Sequence, residues 1–144
     1  MTDTIGERIL AEAAAVRERR ILLSVPGTQT DLTCATLNID LVQRCKAAAE
    51  KLYPRKTLKA NWHFLASLVG NSTLEIESRG DLWTDEDGDP VTFRSPARFG
   101  VTEMVEAVRK AVGDGGVITL GSALLEESGF DAEGNPVVEE ADPT

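Results

Sequence analysis

The run Trp62-His63-Phe64-Leu65-Ala66-Ser67-Leu68-Val69 is the most apolar stretch of the chain, and the turn-like Gly70-Asn71-Ser72 leads from it into the alternating Thr73-Leu74-Glu75-Ile76-Glu77. Any fold this sequence adopts has to bury that run. Two periodicities describe it. As a strand from Thr57 to Val69, Leu58, Ala60, Trp62, Phe64, Ala66 and Leu68 share one face. As a helix, Leu58, Trp62, Leu65 and Val69 form a stripe, with Pro54 before it and Gly70 after it. The strand is favoured, because Arg55, Lys56 and Lys59 would crowd cations at the positive end of a helix dipole. The turn residues Gly70 to Ser72 also suit a strand pair.

The remaining segments supply partners for that core. Thr4-Ile5-Gly6-Glu7 has the form of a capping box, and Ile5, Ile9, Ala13 and Val16 recur at helical spacing, so a first helix is predicted from about Ile5 to Arg20. Ile21 to Val25 reads as a short strand closed by Pro26-Gly27, and Thr28 to Thr33 as polar loop. Asn38 or Asp40 caps a second helix whose stripe is Leu41, Cys45, Ala48 and Leu52, with Pro54 as its stop. Asp81 to Thr84 and Val91 to Arg94 are predicted strands of a hairpin. Val101, Met104, Val105, Val108 and Val112 mark a third helix ending at Gly113, after which Val117 to Leu120 reads as a strand. Ser122 then caps a turn or two through Glu127. The expected class is therefore α+β, with about three helices packed on a mainly antiparallel sheet and two acidic β-hairpin turns.

Those turns share their wording. Asp85-Glu86-Asp87-Gly88-Asp89-Pro90-Val91 and Asp131-Ala132-Glu133-Gly134-Asn135-Pro136-Val137 both read Asp, any residue, acid, Gly, Asp or Asn, Pro, Val. The flanking sequence does not repeat, so one good turn is used twice.

At 144 residues the chain fits one domain, assigned to residues 1–138, with an acidic polar tail at 139–144. No run approaches the roughly 18 apolar residues of a membrane span, and Met1-Thr2-Asp3-Thr4 lacks the layout of a signal peptide. A cytoplasmic setting without membrane is expected, in which Cys34 and Cys45 stay free and reduced.

Charge is unevenly placed. Residues 1–60 hold 10 Lys and Arg against 7 Asp and Glu, a balance of +3, whereas 61–144 hold 5 against 17, a balance of −12. Arg44, Lys51, Arg55, Lys56 and Lys59 are read as a basic face. Asp85, Asp87, Asp89, Asp131 and Glu133 are read as acidic hairpin tips.

Candidate chemistries are weak by comparison. An EF-hand loop starting at Asp85 would need Gly where Pro90 stands and Glu where Pro96 stands, and the Asp131 turn fails likewise, so no metal is expected. Cys34 and His63 are a thiol and an imidazole that nothing in the sequence brings together, and no catalytic residue is assigned. The glycines of Gly113-Asp114-Gly115-Gly116 follow a helix and precede the expected strand, the reverse of a phosphate loop. No cofactor is expected. At a net charge of −9 the chain repels polyanions, which disfavours free nucleic acid. A small anion such as a nucleotide, held by Arg55, Lys56 and Lys59, fits better.

These features favour a non-enzymatic structural or assembly subunit that contacts copies of itself or another protein. Small connector subunits of phage-like particles work in this manner, an analogy of style that rests on no family motif. The alternative is an acidic inhibitory or sequestering protein that binds a host protein or a small anion. A third reading places a small-molecule pocket among Trp62, Phe64, Trp83, Arg94 and Arg98.

Overall fold

The computed structural model describes residues 4–137, so the acidic tail assigned to 139–144 lies outside the described residues. A four-stranded antiparallel sheet in the order β1-β2-β3-β4 forms one layer. It consists of β1 (Arg20–Ser24), β2 (Thr30–Ala35), β3 (Thr73–Ser78) and the short β4 (Asp81–Leu82). The register places Ile21 opposite Cys34 and Leu23 opposite Leu32, which in turn faces Ile76. All five side chains are buried. Their neighbours Leu22, Thr33 and Glu75 pair across the opposite face, where Leu22 is left exposed. One face of the sheet is thus core and the other is open, as alternation in an antiparallel sheet allows.

Four α-helices accompany the sheet: α1 (Thr4–Arg17), α2 (Ile39–Leu52), α3 (Thr57–Ser72) and α4 (Met104–Glu127). The α+β class and the antiparallel sheet are as expected, with one helix more than anticipated. Asn38 caps α2 through its side chain, which accepts from the Leu41 N–H at 2.9 Å. The buried face of α2 is Val42, Cys45 and Ala49, rotated by about one residue from the predicted stripe, so that Leu52 ends exposed.

The stretch expected as a strand, Thr57 to Val69, is helical. Every residue of α3 from Phe64 to Gly70 is buried, because α4, α2 and β2 each pack against it. A helix enclosed on that many sides is apolar all round, so its sequence shows no single clean period. The cations at its start do not prevent it. Arg55, Lys56 and Lys59 are exposed, where an unfavourable dipole contact costs about 0.3–1 kcal/mol. Burying one large apolar side chain yields about 1.5–3 kcal/mol.

Three further expectations are corrected. The polar loop at Thr28 to Thr33 contributes most of β2, whose Thr-rich outer positions hid the inward pair Leu32 and Cys34. Val117 to Leu120, expected as a strand, belongs to α4, and Ser122 lies within the same helix instead of capping a new one. Its apolar residues Val117, Leu120 and Leu124 fall on one buried helical face. Gly113, expected to end the third helix, instead kinks it: its φ of 77° and ψ of 166° are not helical, but the helix resumes directly after it. Finally, Val91 to Arg94 forms no strand. A single bridge between Thr84 and Pro90 closes the acidic turn, and Phe93 is buried in irregular chain.

The kink lets α4 touch α3 twice. Met104 meets Gly70 before it and Leu65 meets Gly121 after it. A Cβ at Gly121 would lie 2.7 Å from Leu65 Cβ and 3.2 Å from the Leu65 backbone, whereas one at Gly70 would meet only the flexible Met104 side chain, at 2.9 Å. Gly121→Ala is therefore expected to destabilise by about 1–3 kcal/mol, as overpacking against a fixed backbone does. Gly70→Ala should cost less than about 1 kcal/mol beyond any helix-propensity gain, because methionine repacks readily. Urea unfolding of the two variants checks the order, and equal losses would show that α3 and α4 slide apart freely.

Candidate functional site

α1 is the element that the fold leaves unused. None of its residues is buried, and Ile5, Ile9, Leu10 and Val16 are between 60% and 68% exposed. The sequence pattern predicts this helix, to about Arg20, with a stripe of Ile5, Ile9, Ala13 and Val16 that does not include Leu10, and a stripe at helical spacing normally implies a surface to receive it. Here the described residues supply none. The Arg17 carbonyl accepts from Thr36 Oγ1 at 3.3 Å, and just beyond the helix Arg19 pairs with Glu127. These contacts hold the C-terminal end of α1 and leave the apolar stripe bare.

A second bare apolar surface lies between α3 and α4. A cavity of about 570 Å³ is lined there by Leu58, Lys59, Trp62, Arg109 and Ile118, among others. Leu58 is 79% exposed, the most of any large apolar side chain described, and Ile118 is also exposed. Arg109 shapes one wall. Its guanidinium lies 5.7 Å from the Trp62 ring centroid and its Nε donates to Asp114 Oδ1 at 2.8 Å across the Gly113 kink. Among the described residues, Trp62 Nε1 is the one buried side-chain nitrogen or oxygen without a hydrogen-bond partner. Neither Leu58 nor Ile118 was singled out as a surface residue from the sequence, because both fit the apolar patterns that ordinarily mark core.

The residues read as a basic face lie at the surface. Arg44, Lys51, Arg55, Lys56 and Lys59 are all exposed along α2 and the start of α3, and none of them forms an ion pair among the described residues. Only Lys59 lines the cavity beside Trp62, where Glu106 and Asp114 put carboxylates on the same wall. A smaller cavity, of about 470 Å³, separates α2 from α3 and is lined by Lys46, Tyr53, Phe64 and Glu133.

The two acidic turns are built alike, as their shared wording predicted. In the first, Asp85 N–H donates to the Asp89 carbonyl at 2.8 Å and Gly88 N–H to the Asp85 carbonyl at 3.1 Å. In the second, the Asp131 to Asn135 and Gly134 to Asp131 bonds repeat the pattern at 2.8 and 3.0 Å. The Asp85 carboxylate accepts from the N–H groups of Asp87 and Asp89, and that of Asp131 from Glu133 and Asn135. The backbone N–H of Asn135 is the chief reason the Asp131 carboxyl titrates below its usual range. In the first turn, oxygens of Asp85, Asp87 and Asp89 lie within 4.8 Å of one another. The Asx bonding of Asp85 accounts for their clustering.

Their surroundings differ. Glu86 pairs with Arg98 at 2.8 Å, and the second turn sits on α2, with Lys46 Nζ donating to the Glu133 carbonyl at 2.8 Å. The charge imbalance between the two halves of the sequence therefore does not become two separate faces of the fold. The second acidic turn lies beside the basic helix, because Gly134 packs against Phe64 and Val42.

The remaining candidates separate. Cys34 Sγ approaches Thr73 Oγ1 at 3.7 Å and Cys45 Sγ approaches Asn71 Nδ2 at 3.8 Å. Both thiols are free and buried, and desolvation raises both above the usual thiol range, which disfavours the nucleophilic thiolate. His63 instead faces Ser67 Oγ at 3.5 Å and the Tyr53 ring at 5.9 Å, and burial lowers its pKa, with Glu103 opposing. The pocket imagined among Trp62, Phe64, Trp83, Arg94 and Arg98 is also dispersed. Trp83 packs edge-on to Phe99 at 5.2 Å, Arg94 donates to the Asn71 carbonyl at 3.0 Å, and Arg98 holds Glu86. No helix among the described residues is long and apolar enough to cross a membrane. Compared with protein-family models, with curated proteins and with solved structures, the chain matches none.

Proposed function

We propose that this protein is a non-enzymatic structural or assembly subunit that works by binding copies of itself. The observation that carries the reading is the uncovered α1. An isolated helix of this length, 14 residues, is marginal in water, and helices in proteins owe their stability mainly to packing of an apolar face. A helix with no buried residue is thus a segment that waits for a surface. Its polar residues favour protein over lipid. Glu7 and Glu12 balance Arg8 and Arg17, whereas a helix lying on a membrane carries an excess of Lys and Arg on its polar face. The charge layout plays a smaller part than the sequence suggested, since the second acidic turn is already seated beside Lys46.

The test is light scattering over a concentration series, at low and high salt, of the wild-type chain and of an Ile9→Asp/Val16→Asp variant. The wild type is expected above monomer mass at both salts, because apolar contacts are not screened as surface charges are. The variant should be monomeric yet still unfold cooperatively, since neither residue contributes to the core. A wild-type chain that stays monomeric throughout, or a variant that assembles equally well, would overturn the proposal.

A further inference from the structure

Resting on that reading of self-association, we infer that α1 of one copy docks in the groove between α3 and α4 of the next, against Leu58, Trp62 and Ile118. The stripe of α1 is a convex apolar surface and the groove a concave one, and a single contact between neighbours covers both. On α1, Ile5, Ile9 and Val16 lie within about 40° of one another around the helix axis at 3.6 residues per turn, and Glu12 flanks them on one side. On the groove, Lys59 stands at the rim without an ion pair among the described residues. A seated α1 brings the Glu12 carboxylate to that ammonium, one point of charge complementarity in a groove that Glu106, Arg109 and Asp114 also line. The basic face read from the sequence thereby acquires one specific role, at Lys59.

The competing arrangement pairs α1 with α1. It would bury the helix stripe twice and leave Leu58 and Ile118 bare in every copy. An α1 pair and a seated α1 each bring together about six large apolar side chains, so what distinguishes the groove is that it covers Leu58, Trp62 and Ile118 as well. Because donor and acceptor surfaces are different, the contact is heterologous. It closes into a ring or continues as a filament, and every added copy leaves one free α1 and one free groove at the ends.

Disulfide trapping between two separately purified variants decides the matter. Ile9→Cys and Leu58→Cys each place one thiol on an exposed position, and the wild type, whose Cys34 and Cys45 are buried, is the blank. Mixed under mild oxidation, the two variants are expected to form a cross-linked heterodimer several-fold in excess of either variant alone. A dominant Ile9→Cys homodimer, with no enrichment on mixing, would overturn the groove while leaving self-association intact. Scattering above monomer mass with no cross-link of either kind would overturn it in the same way. Monomeric mass with no cross-link would remove both this inference and the proposed function.

Discussion

Replacing Phe93 by alanine is expected to lower the unfolding free energy by about 3–5 kcal/mol, the range for emptying a buried aromatic site. That is a large share of the roughly 5–15 kcal/mol of a typical domain. Phe93 has no accessible surface and heads the fully buried side chains by volume, although it belongs to no strand or helix. Its ring stacks on Phe99 at 5.2 Å between centroids, with 29° between planes, and Phe99 meets Trp83 at 5.2 Å and 69°. Three aromatic rings thus pin the irregular segment between β4 and α4. Offset and edge-on pairs of this kind are worth about 0.5–1.5 kcal/mol beyond the area they bury. The loss should appear as a lower urea midpoint with an unchanged slope. The partner control is Phe99→Ala, which is expected to cost less because Phe99 is only partly buried. A loss below about 1 kcal/mol for Phe93→Ala would mean that the segment is not anchored through this ring.

Phe93 also marks how far the sequence could be read. Its neighbours Val91 to Arg94 alternate in the manner of a strand, and the pattern was right about which side chains point inward. It was wrong about the ladder, because backbone pairing depends on a neighbouring strand that the local pattern does not contain. The same limit explains α3. Its burial on several sides erased the periodicity by which a helix is recognised, and only the positions of α2, α4 and the sheet show why. Where structure is set by adjacent residues, sequence and structure agree: Asn38 at the start of α2, and the shared acidic turn. The candidate site was legible only in part. Ile5, Ile9 and Val16 were found as a stripe, but exposure is a property of the whole fold, and the residues of α1 do not by themselves show that its stripe is left bare while Phe93 is enclosed.

The two acidic turns allow a sharper test, because one backbone conformation occurs in two environments. Gly88 and Gly134 have φ of 82° and 83°, so an alanine at either position meets the left-handed penalty of about 1–2 kcal/mol. At Gly88 nothing else opposes it, since an added Cβ would find no atom within 4 Å. At Gly134 the same Cβ would come within 2.9 Å of Phe64 Cζ and 3.0 Å of Val42 Cγ1, and both side chains are buried. Overpacking of that kind adds about 1–3 kcal/mol. Gly134→Ala is therefore expected to cost at least about twice as much as Gly88→Ala, again as a shift in urea midpoint. The relief available at Gly134 is for the turn to lift from α2, which would break the bond from Lys46 to the Glu133 carbonyl and open the space between α2 and α3. Amide exchange at Glu133 and Asn135 should then accelerate in Gly134→Ala, while in Gly88→Ala the corresponding amides of Asp87 and Asp89 change less. Equal losses in the two variants would show that the second turn is not held by Phe64 and Val42, and that its place beside the basic helix is incidental to the fold.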